Sequence, residues 1–454
     1  MAKVKVNRDL VLNGSLGKAF LSLALPIIAT SFIQTMYNLT DTFWLGKLGE
    51  ANQAAITLVS PIQSIIQNLG SGLVSAGSVI LSQYNGAGKK KESCDVASHV
   101  FVCTMLFSII CATLAFIFCP FIIMWLGAEG DVSTLSQTYL RIVILDMPFL
   151  FMINSFQIVK QSQGNTVSPM FLNLMGVILN MILDPLLMVV FDFGIGGAAF
   201  ATLFAKVPCG IIALFFLFKK DEPIRVTLKG FKFNGKYVKQ ILTLGIPSAI
   251  GSATMQFGFL LMGKSVVKYG TVSVAAYGIG NKVNGLISLP SNAMGSATGT
   301  IVGINVGADQ YDRARQAFRL SAFVSVAFLA VFGVIISRIP VSTALVSIFS
   351  SSPEVIEQSA IFLSILALYC FTNGIYNSIN GFFNGTGHSP IVVTVEAIRL
   401  WIFRFATLFL CENLLHMGFL SVPYSIVISN ALAPAVMLIL YKTGIWRRKT
   451  IKIN

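Results

Sequence analysis

The chain has 454 residues, of which 55% are hydrophobic and 11% charged, with a mean hydropathy of +0.78 and a formal net charge of +14. A soluble chain carries about 25% charged residues, so water could not solvate this surface, and no stretch is left over for a soluble domain. Apolar runs of about the 20 residues needed to cross a bilayer core recur along the whole length, which points to an all-α polytopic membrane protein.

Helices rather than strands are predicted because the runs lack the alternation of a membrane barrel, and an open sheet edge cannot persist in lipid. The first 18 residues are polar and basic, with Lys3, Lys5 and Arg8. The apolar run after them is too long for a signal-peptide core, so the N-terminus is expected to be retained. Six spans then follow at 19–44, 53–84, 96–119, 133–159, 167–191 and 195–218. Six more follow at 239–263, 273–305, 317–340, 354–381, 389–411 and 418–441. The lobes are predicted as 1–218 and 239–454, with 219–238 as a basic cytoplasmic linker.

With the N-terminus inside, Lys89, Lys90, Lys91, Lys160, the linker lysines, Arg313, Arg315 and Arg319 fall on the cytoplasmic side. So do Lys442, Arg447, Arg448, Lys449 and Lys452, against Lys47, Lys264, Lys268 and Arg338 on the other side. This bias satisfies the positive-inside rule for twelve spans in a cell membrane with both termini cytoplasmic. The charge orients the chain and calls for no nucleic-acid partner. The seven cysteines form no CxxC pair and read as small core residues without a metal role.

Sliding the sequence by 221 residues aligns Pro26 with Pro247, Gly49 with Gly270 and Ala54-Ala55 with Ala275-Ala276. The same offset aligns Gly86-Ala87 with Gly307-Ala308, Gly164 with Gly385, and Ser168-Pro169 with Ser389-Pro390. Six spans per half make this a parallel repeat, giving two pseudo-symmetric six-helix bundles, a recurrent transporter design in which access alternates between the halves.

Several helices carry polar stripes that lipid would penalise. Thr30, Gln34, Asn38 and Asp41 mark the first, Gln63, Gln67, Ser71 and Ser75 the second, and Asn173, Asn180 and Asp184 the fifth. The eighth has Asn281, Asn284, Ser288, Asn292 and Ser296, and the tenth Asn373, Asn377, Asn380 and Asn384. Such amides either glue helices together or line a wet cavity. Thirty-six Phe and fifteen Met supply adaptable apolar walls for bulky, varied compounds.

Ionisable groups at membrane depth are costly unless paired, neutralised or hydrated. Asp41, Asp146, Asp184, Arg141 and Lys206 stand in the first half, and Lys282, Glu396, Arg399 and Arg404 in the second. Glu396 and Arg399 are spaced for an i,i+3 salt bridge. Asp146 lies too far round its helix for an ideal pair with Arg141. Asn180 and Asp184 share a face, and Thr202 lies on the next helix, which follows the Gly-rich turn Gly194 to Gly197. A carboxylate with amide and hydroxyl neighbours can bind Na+, hold a proton, or simply cap the packing. Lys206 lies one turn beyond Thr202 near mid-membrane. It either snorkels to the interface or faces Asp184 or Asp41, where a resident positive charge disfavours Na+.

The segment Leu25-Pro26 through Tyr37-Asn38-Leu39-Thr40-Asp41-Thr42, followed by Gly46, Leu48 and Gly49, resembles the first helix of the multidrug and toxin extrusion (MATE) family. Asn85-Gly86-Ala87-Gly88, Gln163-Gly164-Asn165-Thr166, Asn180 through Pro185, Gly196-Gly197-Ala198-Ala199 and Gly385-Thr386-Gly387 extend the resemblance over the chain. It implies a monomeric secondary antiporter, not an enzyme, exporting small organic, cationic or amphipathic compounds from the lipid-embedded lobes in exchange for H+ or Na+, with no other cofactor. The DinF-type branch of the family places its ion site in the N-terminal lobe, which maps to Asp41, Asn180, Asp184 and Thr202. No resident metal is implied beyond Na+ at those four. Where the family has a neutral residue, often Gln, this sequence has Lys206, which favours H+ coupling. Gln34, Tyr37, Asn38, Asn154 and Gln157 are expected around the cargo.

Met262 and Phe405 replace Asp41 and Asp184 in the second half, so coupling is expected in the first. A lipid or lipid-linked saccharide flippase would share the repeat but needs a more basic cavity for diphosphate head groups. No G-x-x-x-x-G-K-[ST] motif supports an ATP-driven pump, and a channel would not require the repeat or the buried acids.

Overall fold

The computed structural model describes residues 8–45 and 49–451. Lys3, Lys5, Gly46, Lys47, Leu48 and Lys452 lie outside the described residues, as do the side chains of Leu39 and Thr42. The structure is 86% helical, with no strand among the described residues, as the unbroken apolar runs require.

A short helix α1 (Arg8–Asn13) leads into α2 (Leu16–Leu45), α3 (Glu50–Gly86), α4 (Lys90–Ile117) and the short α5 (Cys119–Trp125). The fourth span is α6 (Gly130–Val143) and α7 (Met147–Ser162), joined by a 3-10 turn, Ile144–Asp146, ahead of Pro148. The fifth is α8 (Val167–Pro185), which loosens into a π turn at Leu186–Val190, and the sixth is α9 (Gly194–Phe218). Next come α10 (Gly235–Val267), α11 (Thr271–Gly307), α12 (Tyr311–Ile336) and the short α13 (Ile339–Val346). The tenth span is bent by 54° between α14 (Pro353–Leu368) and α15 (Phe371–Gly385). The eleventh is α16 (Ser389–Ala397) and α17 (Phe405–Asn413), separated by π-helical turns at Ile398–Arg404, and α18 (Ser421–Lys442) is the twelfth.

Nine helices among the described residues pass a length-and-hydropathy test for spanning, ten with the bent pair. The α11 span and the α16–α17 span complete the twelve. The Asn stripe lowers the hydropathy of α11, and the eleventh span carries Glu396, Arg399 and Arg404 within 18 residues.

The repeat is visible in the backbone. α3 and α11 are each 37 residues long and each starts after a glycine with positive φ, Gly49 at 88° and Gly270 at 93°. A β-carbon is strained in that conformation, which accounts for glycine at both ends of the offset.

Contacts group the chain into two compact units. The first comprises Arg8 and Leu25–Ala249, and the second Asp9–Ala24 and Ile250 onward. The division therefore falls inside α2 and α10, beside Pro26 and Pro247, rather than in the basic stretch between the halves. That stretch is docked onto the first unit. Glu222 pairs with Lys160 at 2.5 Å, Thr227 N–H donates to Ser98 Oγ at 2.9 Å, and Asn234 N–H donates to His99 Nε2 at 2.9 Å. In the second unit, Arg313 donates to the carbonyls of Val11 and Gly14, which fixes α1.

Within the second unit, α11 and α15 cross at glycines. A Cβ on Gly381 would sit 2.1 Å from the carbonyl oxygen of Gly295, and one on Gly295 would sit 2.6 Å from that of Asn377. Beside this crossing, Asn377 Nδ2 donates to Ser291 Oγ at 3.0 Å and Asn292 Oδ1 at 2.7 Å, so this part of the Asn stripe glues helices. Gly381→Ala should therefore lower the thermal midpoint of the purified protein, by the equivalent of about 1–3 kcal/mol of overpacking. Gly278→Ala, where a Cβ meets no heavy atom within 4 Å, should not lower it.

Candidate functional site

The first unit encloses a cavity of about 520 Å3, within the range of sites that take drug-sized ligands. One face of α2 reaches it through Gln34, Tyr37, Asn38 and Asp41, spaced as one helical stripe. Opposite residues come from Ser60, Gln63, Ser64 and Gln67 on α3, Tyr139 on α6 and Asn154 on α7. Asn173 and Asn180 on α8, and Thr202 and Lys206 on α9, complete the polar wall. Asp41, Asn180, Thr202, Lys206, Gln34, Tyr37, Asn38 and Asn154, all singled out in the sequence, thus line one cavity. Gln157 does not reach this space. It lines a smaller cavity of about 90 Å3 with Thr30, Gln161 and Thr166, and Asn173 lines both.

Asp184 is fully buried and is not a wall residue. Asn180, one turn earlier, donates Nδ2 to Asp184 Oδ1 at 3.1 Å. That bond leaves Asp184 Oδ2 and Asn180 Oδ1 buried without a hydrogen-bond partner. Both orphaned atoms are acceptors, so what satisfies them must be a donor or a cation, and a proton or Na+ fits that requirement. Asp41 acts electrostatically on Asp184. Tyr37 lines the same cavity as Thr202.

Lys206 does not pair with Asp184 or Asp41. Its Nζ donates to Asp146 Oδ2 at 2.5 Å, with the Asp146 side chain fully buried and the lysine side chain 24% exposed. Asp146 sits in the 3-10 turn Ile144–Asp146, which packs against α9, and with this partner the lysine has no need to snorkel. Lys206 remains in electrostatic reach of Asp41. Three carboxylates and one ammonium therefore stand at or behind this wall.

The sequence stripes missed Ser60, Ser64 and Tyr139. Ser60 and Ser64 sit beside Gln63 and Gln67 among apolar residues, and Tyr139 is a buried residue of the amphipathic α6. In the second unit, Glu396 and Arg399 form the i,i+3 pair at 3.3 Å.

The MatE family model matches residues 26–186 and 247–410, one copy in each half. The probable multidrug resistance protein NorM of Thermotoga maritima is 24% identical over 439 residues, 96% of this chain and 94% of the relative. The multidrug export protein MepA of Staphylococcus aureus is 26% identical over 432 residues, 93% of each. A crystal structure of MATE in complex with MaD3S superposes with a TM-score of 0.91 over 98% of both chains at 22% identity, which shows the fold.

Proposed function

The chain belongs to the MatE family, and on that premise we propose that it is a multidrug efflux antiporter that exports organic, cationic or amphipathic compounds in exchange for H+. The observation that carries this reading is the cavity of the first unit, where Asp41 and Lys206 share a wall with Asn180 and the Asn180–Asp184 pair stands behind it. Cargo and coupling ion then compete for one small volume. A proton on Asp184 or Asp41 removes the charge that holds a cationic cargo, and loss of the proton restores it.

Coupling belongs to the first unit in this reading, as in the DinF-type branch. The Lys206–Asp146 pair supports H+ over Na+, because a resident ammonium beside Asp41 repels a second cation while a neutral protonated carboxyl tolerates it. Three carboxylates to one ammonium at or behind the wall also suit cationic cargo better than the diphosphate of a lipid-linked saccharide. The basic bias of the loops supports a cell-membrane location with both termini cytoplasmic. The protein works as a monomer, with no metal or organic cofactor.

Gln34→Ala and Asn154→Ala test the cavity. Each removes a polar wall group without touching a carboxylate. Relative export rates across a panel of fluorescent organic cations in liposomes should change by several-fold between compounds, with gradient dependence kept. An equal loss for every compound would contradict the assignment.

A further inference from the structure

The second unit holds an unbalanced set of charges at membrane depth. The π-helical turns at Ile398–Arg404, a distortion frequent at functional sites, carry Arg399 and Arg404 at either side, 9% and 3% exposed. Arg399 donates from Nη2 to Glu396 Oε1 at 3.3 Å and to Met255 Sδ at 3.7 Å, and from Nη1 to Asn430 Oδ1 at 3.1 Å. Arg404 donates from Nη2 to the same Asn430 oxygen at 2.9 Å and from Nε to Ser429 Oγ at 3.1 Å. Tyr376 donates its hydroxyl to Glu396 at 2.9 Å, using up part of the one carboxylate in the cluster. Arg399 Nε is buried and donates to nothing. Two guanidiniums thus share one amide oxygen and one carboxylate, and a buried cation without its counter-charge is strongly unfavourable.

The position of the cluster follows from the repeat. The 221-residue offset carries Gln34, Asn38, Ile56 and Cys209, all on the wall of the first unit's cavity, onto Met255, Phe259, Tyr277 and Asn430. Those four surround the arginines. Met255 and Asn430 accept from them, Arg404 lies 6.0 Å from the centre of the Phe259 ring, and Tyr277 is in electrostatic reach of Arg404. The second unit therefore places a net positive set, two guanidiniums to one carboxylate, where the first places a net negative one, three carboxylates to one ammonium.

We propose that Arg399, Arg404 and Asn430 form an anion-binding site, the charge-inverted counterpart of the first cavity, that takes a small monovalent anion: chloride or the carboxylate of a cargo molecule. A guanidinium with a free Nε matches either chemistry. This assignment does not depend on which ion drives export, and its test reads binding.

The purified full-length protein should broaden the chlorine-35 resonance of sodium chloride beyond the width in buffer, and Arg399→Gln and Arg404→Gln should abolish that excess. Benzoate that removes the excess width identifies a carboxylate as occupant. Benzoate without effect identifies the inorganic anion. Because the arginine variants can fail to fold, the unmodified protein gives a second readout. Chloride titrated against gluconate at equal ionic strength should raise Tm saturably, by about 3 °C at a hundred times the dissociation constant. Asp184→Asn should keep both signals. Absence of excess broadening together with a Tm indifferent to chloride and benzoate would overturn the proposal, as would full broadening in folded Arg404→Gln protein.

Discussion

Asp184→Asn should reduce gradient-driven export to the level of protein-free liposomes while the protein stays folded and inserted. The carboxylate is fully buried, one oxygen is held by Asn180, and the other has no protein partner. An amide of the same shape can still accept from Asn180, so packing is preserved, but it cannot take up and release a proton. Asp41→Asn should give the same loss from the cavity wall, since cargo and proton meet there. Export rates normalised to folded protein, judged by size exclusion and Tm, check both. Wild-type rates in either variant would remove that carboxylate from the coupling site.

Lys206→Gln should have the next largest effect, on stability and ion choice together. It strips the counter-charge from a fully buried Asp146, whose other oxygen is already unpaired. Removing one member of a buried pair costs about 3–5 kcal/mol, because a charge is left in a medium that cannot solvate it. Tm should fall by several degrees, and Lys206→Gln combined with Asp146→Asn should regain most of the loss. With the ammonium gone from the neighbourhood of Asp41, export by the single variant should become stimulated by Na+. Thermal unfolding and transport in matched Na+ and K+ buffers read the two effects. An unchanged Tm with unchanged Na+ response would show that the pair contributes neither.

Long-period features were legible in the sequence. Apolar runs placed the spans to within six residues, and the 221-residue offset aligned Gly49 with Gly270, the positive-φ glycines that precede the equally long α3 and α11. Stripes at helical spacing brought Gln34, Asn38, Asp41 and Asn180 to one cavity, because a straight helix preserves the angle between its residues.

What failed were relations set by breaks in helices. Asp146 meets a lysine 60 positions away from within a 3-10 turn, where a 3.6-residue count does not apply. The π turns that aim Arg399 and Arg404 at one asparagine are equally invisible to a 3.6-residue count. Gln157 was placed with the cargo stripe, yet it lines the smaller space, since depth along a helix is less well fixed by sequence than the face. The compact units divide beside Pro26 and Pro247, where composition shows no break, and the polar linker that does break composition is bound to the first unit.

The central claim is that proton exchange within the first unit drives export of organic cations. Purified protein in liposomes loaded with a fluorescent organic cation tests it most directly, with a pH gradient and a Na+ gradient imposed separately at matched membrane potential. The account predicts that the pH gradient alone accelerates release, that the effect vanishes in Asp184→Asn, and that the Na+ gradient does nothing. Release driven equally well by the Na+ gradient at uniform pH would contradict it.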